Sequence, residues 1–308
     1  MPNAASSPTT TTPAPSPANW HRRVIRLVLL FLVTPYVAVT IIMVGVQRQL
    51  IFVPTKTGRL LANAVGASVE DVEIPAADDL TLHGWRFRAR LPAGTDAANS
   101  LVLYFPGNAG CREDRIPDCQ DFTRLGCDVL LFDYRGYGDN GGSPSEEHFA
   151  ADARQIWMFA TQELQYPPER LILFGESLGG AVATRLAAEL SLAGDPPAAL
   201  VLNSTFASMP RTVAWHFPAF PFQFLIWDRF PSIERIPQVA SAVLQFHCTA
   251  DETVPLDHGR ALFAAAPSAA RSGIEKRFVT IEGGGHNYIT VGQMGAEIAA
   301  LMESLERH

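Results

Sequence analysis

Apolar positions fall along the chain in two distinct patterns. The first is one unbroken block, in which Leu27 to Val46 reads LVLLFLVTPYVAVTIIMVGV, twenty residues without a charge. At about 1.5 Å per residue such a block spans roughly 30 Å as a helix, the thickness of a bilayer's hydrocarbon core. It is longer than the apolar core of a cleaved secretory signal, and no small-x-small site comes after it. A soluble helix rarely stays apolar on every face for five turns. The pattern predicts an uncleaved membrane anchor over residues 20–48, with a kink at Pro35.

The second pattern begins near residue 70. Short Val, Leu, Ile and Phe runs fall at Leu101–Phe105, Asp128–Phe132, Leu171–Phe174, Ala199–Leu202, Ala242–Phe246 and Arg277–Ile281. Helical patterns separate them at Arg112–Arg124, Glu146–Leu164, Gly179–Leu192, Leu256–Ala265 and Tyr288–Leu305. Continuous apolar strands with helices between them predict a mostly parallel sheet covered on both faces, an α/β fold. Val72–Ile74 and Leu80–Arg88 come first with no room for a helix between them, and read as an antiparallel hairpin. Residues 207–240 interrupt the alternation. There Trp215, Phe217, Phe220, Phe222, Phe224, Trp227 and Phe230 crowd among prolines, as an inserted lid would, and an aromatic cover over the ligand crevice suits an apolar substrate group.

Charge narrows the function. The chain carries 24 Lys and Arg against 31 Asp and Glu, a net −7. Arg22, Arg23, Arg26 and Arg48 are the only charged residues of these four types among the first 49, so the rest of the chain is more acidic still. That balance excludes a nucleic-acid binder, which needs clustered cations. The arginines before the apolar block are the tightest cluster, which favours that side in the cytoplasm and the adjoining domain, 49–308, outside it. Residues 1–19 contain no charge and little apolar surface, and are expected to be a disordered tail. Four cysteines are too few for a disulfide scaffold, and Cys111, Cys119 and Cys127 lack zinc-site spacing. With an external domain a disulfide stays open, and no pair is selected.

The sharpest local signal is Gly175-Glu176-Ser177-Leu178-Gly179, entered from an apolar strand and left through a helix. Strand, tight turn and helix are what a nucleophile elbow needs, and the helix N-terminus favours developing negative charge. A serine nucleophile needs a base, and the base an orienting acid. His286, after three glycines and the last strand, has the best surroundings of the eight histidines. His83 and His148 read as structural or exposed, and His247 as core or as a neighbour of the site. Asp251, in the loop after the penultimate strand, is the acid candidate, ahead of its neighbour Glu252. A helix cap ahead of Pro255 is its alternative role.

The order Ser177, Asp251, His286 is that of α/β-hydrolases, and further motifs carry the resemblance. Tyr104-Phe-Pro-Gly-Asn-Ala-Gly110 is similar to the family's oxyanion loop, with Pro106 where histidine is common. Asp133-Tyr-Arg-Gly-Tyr-Gly138 is similar to the loop after the fourth strand. Gln47-Arg-Gln-Leu-Ile-Phe-Val-Pro54 behind an apolar anchor resembles the single-pass, membrane-anchored serine hydrolases related to protein depalmitoylases and monoacylglycerol lipases. The resemblance spans roughly residues 47–308. It implies an α/β-hydrolase fold, no metal or organic cofactor, oxyanion donors at the Asn108 and Leu178 N–H groups, and small-molecule or lipid-like acyl substrates. Esters and thioesters come first; amide cleavage, or a binding role without turnover, stays open.

Overall fold

The computed structural model describes residues 17–90 and 100–307. Of the tail expected over residues 1–19, residues 1–16 lie outside the described part, and Pro17 already opens a helix.

The chain divides into two compact units after Val46. In the first, α1 (Pro17–Val28), a π-helical turn (Leu29–Val33) and α2 (Thr34–Gly45) run in succession. Trp20–Gly45 is long and apolar enough to cross a membrane, with a mean hydropathy of 2.6 in its most apolar window. The wide turn lies just before Pro35, whose ring nitrogen cannot donate to the preceding turn. The Thr34 N–H closes it on the Leu29 carbonyl, and the Thr34 hydroxyl donates to the same oxygen at 2.8 Å. Both groups of Thr34 thus converge on one carbonyl of the turn ahead of the proline.

The second unit opens with α3 (Gln47–Ile51). Eight strands come after it: β1 (Val69–Pro75), β2 (Thr81–Phe87), β3 (Ser100–Phe105), β4 (Cys127–Phe132), β5 (Leu171–Glu176), β6 (Ala199–Asn203), β7 (Ala242–Cys248) and β8 (Arg277–Ile281). They form one sheet in the order β1-β2-β4-β3-β5-β6-β7-β8. β2 is antiparallel to β1 and to β4, and every other pairing is parallel. The expected hairpin and all six expected apolar strands are therefore present. After β3 the chain steps outward to β4 and then returns across β3 to place β5 on its other side. At such a reversal the loops leaving the strand ends diverge and open a crevice, here between the ends of β3 and β5.

Helices α4 (Ile116–Arg124), α5 (Glu146–Met158), α6 (Leu178–Ala193), α7 (Met209–His216), α8 (Ser232–Arg235), α9 (Leu256–Ala265) and α10 (Val291–Arg307) complete the unit. Alternation along β3 sends Leu101, Leu103 and Phe105 into one core with α5, α6 and α9, and Val102 and Tyr104 into the other with α4 and α10. The helix expected from Arg112 starts as a 3₁₀ turn, Arg112–Arg115, and becomes α-helical at Ile116, with Pro117 in the first turn where its missing N–H costs nothing. The helix expected through Leu164 ends as a π-helical turn, Phe159–Glu163. All four cysteines are buried and free.

Residues 207–240 form α7, a 3₁₀ turn (Pro221–Phe224) and α8 between β6 and β7. Against α7 lies His258 of α9, only 4% exposed. Burial, with Arg211 nearby, pushes its pKa down to about 4. The folded chain therefore holds it neutral where the unfolded chain binds a proton, so stability falls as pH drops from about 6.5 toward 4, by at most about 3 kcal/mol. Urea unfolding of wild type and His258→Gln at pH 7 and pH 4.5 is expected to show a larger acid loss in wild type, by about 2 kcal/mol. Equal losses would remove His258 from the acid response.

Candidate active site

The site is assembled from the carboxyl ends of five strands. Ser177 joins β5 to α6 at φ 50°, ψ −111°, a conformation that strains any residue with a side chain. The strain is held from two sides. The Ser177 N–H donates to the Asn203 carbonyl at 2.8 Å, and its own carbonyl accepts from the Thr205 hydroxyl at 2.7 Å and the Gly180 N–H at 3.0 Å. Close approach explains the flanking glycines. A side chain at Gly175 would run into the backbone of Gly179 and Gly180, and one at Gly179 into the carbonyls of Phe105 and Pro106. The latter contact brings the start of α6 against the loop after β3.

The loops after β7 and β8 bring the remaining two residues to this serine. The Ser177 hydroxyl lies 2.8 Å from His286 Nε2, and His286 Nδ1 lies 2.8 Å from Asp251 Oδ2. Gly283 and Gly284, both at φ 70°, curl the loop that delivers the histidine. Asp251 is no helix cap, since α9 starts behind Pro255 without a side-chain cap. Oδ1 closes a turn by accepting from the Thr253 and Val254 N–H groups at 2.9 and 2.8 Å, while Oδ2 faces the imidazole. Burial pulls against its charge, but the His286 contact and the Val254 N–H outweigh burial and hold the carboxyl below its ordinary value. An ionised Asp251 fixes the tautomer with hydrogen on Nδ1, leaving Nε2 free to accept from the serine.

His247 adds to this loop from within β7. Fully buried, it donates from Nε2 to the Val254 carbonyl at 2.8 Å, with Asp251 Oδ2 at 3.5 Å. Burial lowers its pKa, so it stands as a neutral brace behind the acid. Glu252, by contrast, is exposed.

Asn108 and Leu178 both line a pocket of about 820 Å³ with Ser177 and His286. Leu178 opens α6, so its N–H has no partner within the helix. Sequence reasoning missed several other walls. Leu50 and Ile51 enter from α3, and Arg115, Asp118 and Glu176 form a polar side. Arg115 donates to Glu176 at 2.9 Å, and Tyr104 donates to Asp118 at 3.0 Å. The available signals were the variable position of the nucleophile motif, Glu176, and the charged turn after the oxyanion loop. The aromatic residues expected as a cover do not line the pocket. Phe222 and Phe230 are buried, and Trp215, Phe217, Phe224 and Trp227 face outward. α7 instead presents Met209, Thr212 and His216, which share one face at helical spacing.

Residues 100–247 match the sequence pattern of the alpha/beta hydrolase fold family. An uncharacterized protein of Mycobacterium tuberculosis is 40% identical over 241 residues, covering 78% of this chain and 80% of that one. The lysophosphatidylserine lipase ABHD12 of Danio rerio is 34% identical over 199 residues, covering 59% of this chain and 52% of its own length. Among solved structures, an esterase of Pyrococcus furiosus superposes with a TM-score of 0.60 over 83% of this chain and 97% of that one, at 16% identity, a likeness of fold. The chain belongs to the α/β-hydrolase family.

Proposed function

We infer that this protein is a membrane-anchored serine hydrolase that cleaves carboxylic ester or thioester bonds of acyl, lipid-like substrates. The observation that carries this reading is the unbroken relay of 2.8 Å contacts from Ser177 through His286 to Asp251, set in an 820 Å³ pocket. His286 Nε2 takes the hydroxyl proton as Ser177 Oγ bonds to the substrate carbonyl carbon. The negative oxygen that forms is met by the Asn108 and Leu178 N–H groups, donors already in place before reaction. The tetrahedral species collapses, and the alcohol or thiol leaves with the proton from His286. Water then gives a proton to the same nitrogen, attacks the acyl-enzyme carbonyl and frees the carboxylic acid, returning the proton to Ser177. Asp251 stabilises the imidazolium at each stage without taking the proton.

Apolar pocket residues (Leu50, Ile51, Phe206, Met209, Val254 and Ile289) favour an acyl chain over a polar one. The apolar N-terminal helix supplies the anchor, and its flanking arginines favour an extracytoplasmic catalytic unit. With p-nitrophenyl esters of rising chain length, matched thioesters and aminoacyl amides, the purified protein is expected to turn over the esters and thioesters, with kcat/KM rising from acetyl to longer chains. Each buried methylene is worth about 0.8 kcal/mol, up to roughly fourfold per methylene while the pocket has room. Cleavage of the amides alone would replace this reading with that of a peptidase.

A further inference from the structure

The segment of residues 47–53, ahead of β1, is built into the site. Gln47 is buried, and its amide pairs with backbone of the excursion between β6 and β7, donating to the Leu225 carbonyl at 3.3 Å and accepting from the Trp227 N–H at 2.8 Å. Arg48 grips Asp228 with two nitrogens, at 2.8 and 3.3 Å, and Asp228 also accepts from the Glu146 N–H at the start of α5. Phe52, 1% exposed, packs edge-on against Phe149 and Phe230. Between these fixed points Leu50 and Ile51 wall the pocket.

The other end of the segment is held by Asn108. Its side-chain NH₂ donates to the Ile51 carbonyl at 2.6 Å, and its side-chain oxygen accepts from the Tyr137 hydroxyl at 2.8 Å and the Val53 N–H at 3.4 Å. The carboxamide is thus committed to the segment and to Tyr137, while the backbone N–H of the same residue is the proposed oxyanion donor. Three polar contacts on the amide leave its backbone little freedom to rotate, and a donor displaced by an ångström loses much of its effect.

We propose that residues 47–53 are a working part of the hydrolase: through the Asn108 carboxamide they aim the oxyanion N–H, and through Leu50 and Ile51 they shape the acyl pocket. Asn108 is then a positioning residue through its side chain. The proposal rests on the serine-hydrolase reading, so the test begins with wild-type activity. It uses the full-length protein in detergent micelles and p-nitrophenyl butyrate. Asn108→Ala keeps the backbone donor and removes the clamp. It is expected to lower kcat roughly 10- to 100-fold with KM within about twofold, because the lost alignment is felt in the transition state. Gln47→Ala combined with Arg48→Ala, remote from the reacting atoms, is expected to lower kcat in the same direction. Joined to Asn108→Ala, it should add much less than its effect alone, as one mechanical path predicts. If Asn108→Ala melts below the assay temperature, Asn108→Asp takes its place, since it retains the shape but lacks the donor to Ile51. An inactive wild type sinks the hydrolase reading itself. An active wild type with kcat unchanged in Asn108→Ala, or losses that add fully, overturns the role of the segment alone.

Discussion

Ser177→Ala is expected to abolish labelling by a fluorophosphonate probe and to lower ester kcat by about 10⁴- to 10⁶-fold, with the fold intact. The chemistry admits no substitute. The Ser177 hydroxyl lies 2.8 Å from His286 Nε2, and its removal takes away the oxygen that the imidazole would activate. The residual rate would come from whatever polarisation the Asn108 and Leu178 N–H groups provide to a carbonyl attacked by water. Stability should hold or rise slightly. The backbone contacts to Asn203 and Thr205 that fix the turn do not involve the hydroxyl, and alanine carries no more strain at this φ than serine does. The comparison is made on detergent-solubilised protein, by gel fluorescence and by thermal melting. Equal labelling of wild type and variant would move the nucleophile elsewhere and undo the assignment of the site.

Gly179→Ala is expected to be nearly as damaging, by a different route. Its new methyl group would overlap the carbonyls of both Phe105 and Pro106, which are backbone atoms at the end of β3 and cannot swing aside as a flexible side chain would. Relief requires α6 and the loop after β3 to separate, and these two elements carry Leu178 and Asn108. The cost is about 2–4 kcal/mol of stability. In whatever fraction stays folded, kcat should fall by about 10²- to 10³-fold, the usual consequence of losing one oxyanion donor. Fluorophosphonate labelling slowed in proportion, with a melting temperature lowered by several degrees, is the expected pair of readings. Normal kcat in a variant that melts early would mean that the two donors are not set by this contact.

How much of this was legible in the sequence depends on which residues carry each feature. The sheet could be read because strands covered on both faces are continuous apolar runs, and Leu101–Phe105 or Ala242–Phe246 admit little else. Ser177, His286 and Asp251 were recoverable because each lies just past a readable strand, and glycines beside two of them announce tight backbone. The pocket's other walls depend on long-range placement. Nothing local marks Leu50 and Ile51 as neighbours of Asn108, because their contact is created by the fold and not by spacing. The aromatic cover failed for a related reason. Composition counts the rings between residues 207 and 240, but the fold decides where they point: of them only Trp215 lies on α7, and it is exposed while Met209, Thr212 and His216 of that helix line the pocket. The early 3₁₀ turn before α4 was signalled by Pro117, yet the continuous periodicity around it reads as one helix.

The burial of all four cysteines has a consequence for chemical selectivity. Cys119, Cys127 and Cys248 are fully inaccessible, and Cys111 nearly so. Burial raises every one of these thiols above its ordinary value, Cys127 to about 12, where roughly one molecule in 10⁵ is a thiolate at neutral pH. Thiol-directed maleimides and iodoacetamide therefore find no willing cysteine. A fluorophosphonate, which needs no thiol, is left to the hydroxyl beside the imidazole, that of Ser177. A single cysteine placed on the surface by design would for the same reason be the sole attachment point for a dye or a spin label.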